Sequence, residues 1–193
     1  LSIGMGGSAL GPQLIQSALG SQIQSPQFYF IDNTDPDGID RVIASIGKGL
    51  AETLILIISK SGGTLETRNA MIEIREYCNS AGLDFARHAV AVTGETSQLA
   101  KIASKEKWIR CFPMWDWIGG RTSILSVVGL LPAALLGQNI NNLLGGAKIM
   151  DELTRSTKIK ENPAALLAWM LHHAGGGKGQ KAMVMLHQRL QPK

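Results

Sequence analysis

An α/β sandwich is the fold this sequence predicts: a mostly parallel five-stranded sheet between two helical layers, plus a helical annex. Three observations lead there. Short apolar runs alternate with segments of helical period as far as Pro113. The run at 53–58 is continuously apolar after Thr53, as in a strand covered on both faces. Two of the strand-to-helix turns are rich in glycine and hydroxyl residues. Five strands joined by four helices in strict alternation imply parallel neighbours and right-handed crossovers.

Residues 1–3 are the first strand. A helix over 8–19 carries Leu10, Leu14, Ile15 and Ala18 at helical spacing, with Ser8 as N-cap and Pro12 near its first turn. The aromatic-rich 27–31 is the second strand. Asn33-Thr34-Asp35-Pro36 turns into a helix whose inner face is Ile39, Val42, Ile43 and Ile46. The third strand, 53–58, breaks at Ser61-Gly62-Gly63-Thr64, and the next helix bears Ala70, Ile74, Cys78 and Ala81 on one stripe. A strand at 88–92, a short helix at 97–106 and a strand at 108–112 complete the alternation. Beyond Pro113 a loop over 115–121 leads to helical stretches at about 122–137, 141–158 and 162–174. The apolar 124–136 reads as a buried core helix. A glycine-rich connector at 175–179 and an apolar strand at 181–186 follow. The predicted parts are therefore a sandwich domain at 1–121, linking helices packed on it at 122–180, and the start of a second, truncated domain at 181–193.

Composition narrows the function classes. The chain has 193 residues, a formal net charge of +4, 45% apolar and 18% charged residues. That is ample for a packed core and unlike a disordered chain. Lysine and arginine are scattered, which argues against a nucleic-acid partner. No stretch reaches the roughly 18–20 apolar residues of a membrane span, and no basic segment precedes an apolar one as in a signal peptide. A cytoplasmic enzyme or binding domain is expected. Cys78 and Cys111 have neither disulfide-framework nor metal-ligand spacing and read as inert buried thiols. The chain opens on Leu1-Ser2-Ile3-Gly4 and ends on Gln191-Pro192-Lys193, which reads as a piece of a longer protein.

Ligands of open parallel sheets bind at the carboxyl ends of the strands, so the strand-to-helix turns carry the chemistry. In Ser59-Lys60-Ser61-Gly62-Gly63-Thr64-Leu65-Glu66-Thr67, glycines let successive N–H groups converge, and Thr64 starts a helix whose free amides favour an anion. Ser59, Ser61, Thr64 and Thr67 add hydroxyl donors. A capped helix after a tight turn would need only one or two of them, so four hydroxyls and a lysine point to phosphate. The Gly-Lys-Ser/Thr of a P-loop is missing. The first turn, Gly4-Met5-Gly6-Gly7-Ser8-Ala9-Leu10-Gly11-Pro12, loosely fits a dinucleotide fingerprint with Asp32 as ribose acid, although Asp32 lies further on than the usual offset of about 20 residues. A glycine turn serving close helix–strand packing explains the same residues.

Three segments occurring in this order, Gly4-x-Gly6-Gly7-Ser8-x-Leu10-Gly11-Pro12, the 59–67 run and Gly119-Gly120-Arg121-x-Ser123, together resemble the phosphoglucose isomerase (glucose-6-phosphate isomerase) family. The match is to its first sugar-isomerase (SIS) domain. Asn33-Thr34-Asp35-Pro36 and Asn162-Pro163-Ala164 resemble its bacterial members, and the similarity extends over essentially the whole chain. Gly62-Gly63 and Thr122 stand where common members carry aromatic residues.

The resemblance implies a phosphosugar ligand and interconversion of glucose 6-phosphate and fructose 6-phosphate, without cofactor or metal. It implies phosphate binding by Ser59, Lys60 (through its backbone amide), Ser61 and Thr64, sugar contacts at Gly7 and Ser8, and Arg121 as the catalytic arginine. The family's base, a glutamate, and its ring-opening histidine and lysine fall in later segments with no counterpart here. The resemblance therefore implies a chain nearly inactive alone, within a parent that is a homodimer. Glu66 reads as a helix-start acid. His88, His172 and His173 read as structural, and His187 as part of a second domain. Two alternatives stand beside this reading. One is a non-catalytic SIS phosphosugar-binding module, against which the second cation at Arg121 argues. The other is an NAD-dependent dehydrogenase using the first turn.

Overall fold

The computed structural model of the protein describes residues 1–20 and 26–181. Apart from Lys181, the expected strand at 181–186, His187 and the 181–193 segment lie outside the described residues. The chain divides into two compact units, Leu1–Gln138 and Asn139–Lys193.

The first unit holds a five-stranded sheet: β1 (Ser2–Gly4), β2 (Phe30–Ile31), β3 (Ile55–Ser59), β4 (Ala89–Thr93) and β5 (Arg110–Pro113). Their order is β2-β1-β3-β4-β5, and every neighbouring pair is parallel. The helices are α1 (Gly7–Leu19), α2 (Pro36–Ile46), α3 (Leu65–Ser80), α4 (Gln98–Lys105) and α5 (Val127–Leu135). Strand side chains alternate in direction, so β3 feeds both faces. Ile55 and Ile57 join Ile3, Ala89 and Ala91 in a core closed by Ile39, Ile46, Met71, Ile74, Cys78 and Leu99 from α2, α3 and α4. Leu56 and Ile58 join Val90 and Val92 on the other face, under Met114 and Val128. There α5 and α1 pack against each other. Three layers result, as the sequence predicts.

The structure differs from expectation at several points. The first helix starts at Gly7, not after a Ser8 cap. Gly6 is its N-cap residue, at φ 56° and ψ −122°, a conformation that favours glycine. The second strand shortens to Phe30–Ile31 because it is the sheet edge and has only the short β1 as partner. Ala81 is exposed beyond the end of α3. Cys78 is buried, but Cys111 is exposed: β5 is the opposite edge, with a neighbour on one side only. The unit boundary falls after Gln138, so α5 is part of the sandwich's second layer. Gly129 lets the chain enter α5 tightly, because a Cβ there would lie 2.1 Å from the Ile124 carbonyl oxygen; a Cβ on Gly11 would make ordinary contact with Ile124 and Val128 at 3.9 Å.

A polar cluster at the α3–α4 edge sets a pH-dependent contribution. Arg75 donates to both Glu106 carboxylate oxygens at 3.0 and 2.7 Å, and Trp108 Nε1 donates to one of them at 2.8 Å. Burial alone would raise the Glu106 pKa, but the hydrogen bonds from Arg75 and Trp108 outweigh it and hold the carboxyl below its usual range. A depressed folded pKa contributes stability above the unfolded value and loses it as pH falls through the folded value. Glu106→Gln should therefore cost about 1 kcal/mol at neutral pH, the scale of a partly exposed bidentate pair. That difference should vanish below the folded pKa, which thermal melts of both proteins across the acid range would reveal.

The second unit contains α6 (Ile140–Thr154) and α7 (Pro163–Ala174). Asn139 caps α6 through Asn142 N–H. Asn162 caps α7 by accepting from Ala165 N–H, and its amide donates to the Thr154 and Ser156 carbonyls, fixing the turn between the two helices. His172 and His173 sit in the last turn of α7, where a cation suits the helix dipole. No helix among the described residues is long and apolar enough to cross a membrane.

Candidate functional site

The turn after β3 and the turn after β1 lie side by side because β1 and β3 are neighbours in the sheet, with Gly4 opposite Ile58. Between them opens a cleft of about 360 Å³, lined by Met5, Ser8, Ile58, Ser59, Lys60, Ser61, Thr64, Thr67 and Asp116. That volume suits a small-molecule site. A second cleft, about 270 Å³ between α2 and α3, is lined by Asp40 and Glu73, whose charge opposes an anion.

The hydroxyls of the 59–67 turn are not used up in capping α3. Thr64 is the N-cap residue, yet its side chain makes no capping bond; it accepts from Ser59 Oγ at 3.3 Å. The first amides of α3 therefore have no side-chain partner from the cap and are left for another acceptor. Ser61 Oγ accepts from Gly63 N–H at 3.2 Å and Gly62 N–H donates to the Ser59 carbonyl at 3.1 Å, closing the turn. Gly62 has φ 66°, and a Cβ there would meet Ser97 at 2.8 Å, so the turn packs against the start of α4. Thr93 Oγ1 donates to the Ser59 carbonyl at 2.6 Å, and Gly94 N–H to the Lys60 carbonyl at 3.0 Å. The end of β4 thus braces the turn from below.

Thr67, one of the hydroxyl donors expected from the turn's residue types though not among the residues the resemblance implies, also belongs to the cleft. Its Oγ1 is buried without a hydrogen-bond partner and Thr67 lines the cleft. A buried hydroxyl left unpaired is costly unless a ligand or water completes it. Asp116 is the one acidic residue in the lining, an acceptor for ligand hydroxyls. Nothing in its sequence neighbourhood marked it apart from the loop it occupies.

Five candidates therefore come together: Ser8, Ser59, Lys60, Ser61 and Thr64. Gly7 and Arg121 are not in the cleft lining, but they are brought to each other. A Cβ on Gly7 would lie 1.7 Å from the Gly120 carbonyl oxygen and 3.0 Å from Arg121 N. The start of α1 thus seats the Gly119-Gly120-Arg121 loop directly. That loop is tightened by Ser123 Oγ donating to the Gly120 carbonyl at 2.7 Å and by Ser126 Oγ donating to the Ser123 carbonyl at 2.6 Å. Arg121 is exposed and makes no ion pair or side-chain hydrogen bond among the described residues.

The remaining candidates fall into structural places. Glu66 lies exposed in the first turn of α3. His88 Nδ1 pairs with the Thr53 carbonyl at 3.1 Å, at the foot of the sheet. Asp32, the acid of the dinucleotide alternative, is already engaged by Gln13 Nε2 at 2.8 Å and Asn33 Nδ2 at 3.0 Å.

Comparison with known proteins identifies the family. The phosphoglucose isomerase family model matches residues 1–191. The chain is 58% identical over 186 residues to glucose-6-phosphate isomerase of Geotalea daltonii, and 56% identical over 186 residues to that of Citrifermentans bemidjiense. In both cases the match covers 96% of this chain but 35% of the relative, so the chain spans about a third of the length of the curated relatives it matches. Among solved structures, a glucose-6-phosphate isomerase from Chlamydia trachomatis superposes with a TM-score of 0.79 at 32% identity, covering 90% of this chain and 33% of that one.

Proposed function

The chain belongs to the phosphoglucose isomerase family, and from that premise we propose that it supplies the phosphate- and arginine-bearing part of an active site interconverting glucose 6-phosphate and fructose 6-phosphate. The observation that carries this is the cleft between the two turns. It joins Ser59, Ser61, Thr64 and the unpartnered Thr67 hydroxyl under the uncapped first turn of α3.

The substrate's phosphate sits on that turn, held by hydroxyls, the Lys60 backbone amide and the positive end of the α3 dipole. Ser8 contacts the sugar from the neighbouring turn. Remote phosphate binding fixes where C1 and C2 lie, which converts binding energy into orientation. The reaction moves one proton between those carbons through an enediol. A base takes the proton from C2 of the aldose while the C1 oxygen gains a proton, giving the enediol; the C2 hydroxyl then loses its proton as the carbon-bound proton returns to C1 of the ketose. Substrate and product are isomers, so the balance needs no redox partner. Negative charge builds on oxygen midway, and the Arg121 guanidinium stabilises it. The carboxylate base and the ring-opening acid–base pair come from parts of the whole protein beyond this chain. A homodimeric parent acting in the cytoplasm, with 1–138 as the SIS-type phosphosugar-binding core and 181–193 opening a second such domain, completes the reading.

Coupled assay of the full-length protein with both sugar phosphates tests it. Interconversion is expected; a protein that binds phosphosugars without turning them over would be a binding module instead. Saturable NAD binding with amide shifts at Gly4 and Asp32 would favour the dehydrogenase. Thr64→Val keeps the side chain's shape and removes its hydroxyl, and should weaken phosphosugar binding by about 1–2 kcal/mol, the scale of a hydrogen bond to a charged group. Calorimetric titration would check it, and unchanged affinity would assign that hydroxyl to the turn alone.

A further inference from the structure

The Lys60 ammonium is engaged by protein carbonyls. Nζ donates to the Asp116 carbonyl at 2.6 Å and to the Ile118 carbonyl at 2.8 Å. Both belong to a tight turn closed by Ile118 N–H on the Trp115 carbonyl at 3.1 Å. Two residues later the chain reaches Gly120, seated against Gly7, and then Arg121.

The 115–118 turn has little else to hold it. Trp115 and Trp117 stack on each other, but they are 48% and 77% exposed. Of the turn, Ile118 alone packs against a core. The two glycines that follow restrain the backbone weakly. Lys60, in contrast, sits between Ser59 and Ser61 in the braced turn after β3, and its own carbonyl is held by Gly94 N–H. An ammonium has three donors, and two fixed acceptors define its position.

We propose that Lys60 is a positioning residue whose side chain ties the loop bearing Arg121 to the turn that holds the ligand's phosphate. The spacing between phosphate and guanidinium is then set by this strut at one end of the loop and by the Gly7–Gly120 contact at the other. The kinetic consequence rests on the isomerase reading; the mechanical tie does not.

The test uses the full-length protein with Lys60→Met, which removes the donors, and Lys60→Arg, whose guanidinium can also donate to two carbonyls. In Lys60→Met, hydrogen exchange across 115–121 should quicken on the order of 10-fold as local opening becomes easier. Its kcat should fall on the order of 10-fold or more from misplacement of the arginine loop. Inhibition by inorganic phosphate should stay within about 3-fold, because the backbone amide and hydroxyls that bind it are unchanged. Lys60→Arg should recover most of the loss in exchange protection and in kcat. Unchanged exchange in Lys60→Met overturns the proposal whatever the activity. A large loss of phosphate inhibition with normal kcat and normal exchange also overturns it, and assigns the ammonium to the phosphate. A wild-type protein without isomerase activity sinks the functional reading, while exchange still decides the tie. If the Met variant does not fold, Lys60→Gln, with a single donor group, replaces it under the same criteria.

Discussion

Arg121→Lys in the full-length protein should lower kcat on the order of 10²-fold or more, the scale for losing one preorganised oxyanion donor. The substitution keeps the charge but loses the planar fork that can address two oxygens at once. Arg121 makes no side-chain hydrogen bond or ion pair among the described residues, so its guanidinium is free to meet a ligand. The charge it would stabilise develops only after the ground state, which puts the loss in kcat rather than in substrate affinity. In the proposed site the phosphate is held by a separate turn, at Ser59, Ser61 and Thr64, so inhibition by inorganic phosphate should change little. Steady-state kinetics decide the matter. A variant with normal kcat and raised KM would show that Arg121 only holds substrate.

The sheet was readable because its central strands β3 and β4 are apolar runs ended by hydroxyl residues, and the unbroken apolar run of β3 is what burial on both faces requires. The hydroxyl cluster was readable for a similar reason: residue type alone announces the donors. What escaped the sequence depends on backbone groups, which look alike at every position. Ser8 is the better cap by residue type, but the chain enters α1 through a backbone conformation that suits Gly6. The boundary after Gln138 follows from α5 packing against α1, a pairing between segments more than a hundred residues apart that residue type alone does not announce. Lys60 is the sharpest case. It was read, from resemblance, as contributing an amide, while its side chain seeks two carbonyls 56 and 58 residues away. Thr67 was visible as a hydroxyl, but that it is buried without a partner is a property of packing.

Gly7→Ala should be nearly as damaging as the arginine change, although helix propensity favours alanine. Gly7 is the first residue of α1, and the added Cβ would sit 1.7 Å from the Gly120 carbonyl oxygen and 2.3 Å from its carbon. Both are backbone atoms, so no side-chain rotation relieves the clash. One segment must retreat by about 1.5 Å to regain ordinary contact. The start of α1 is held tightly from below, where a Cβ on Gly4 would meet Ser8 at 2.9 Å, so the Gly119-Gly120-Arg121 loop is the part that yields. Overpacking of this kind costs about 1–3 kcal/mol of stability. Displacing the guanidinium by an ångström or more should cost on the order of 10²-fold in kcat. Gly120→Ala provides the control, because a Cβ there meets nothing within 4 Å. Kinetics and melting of both variants separate two roles for Gly7. If it seats the arginine loop, Gly7→Ala loses kcat and stability while Gly120→Ala keeps its stability. If it contacts the sugar instead, Gly7→Ala raises KM with kcat, melting temperature and hydrogen exchange across 115–121 unchanged, and the seat at Gly120 has no part in catalysis.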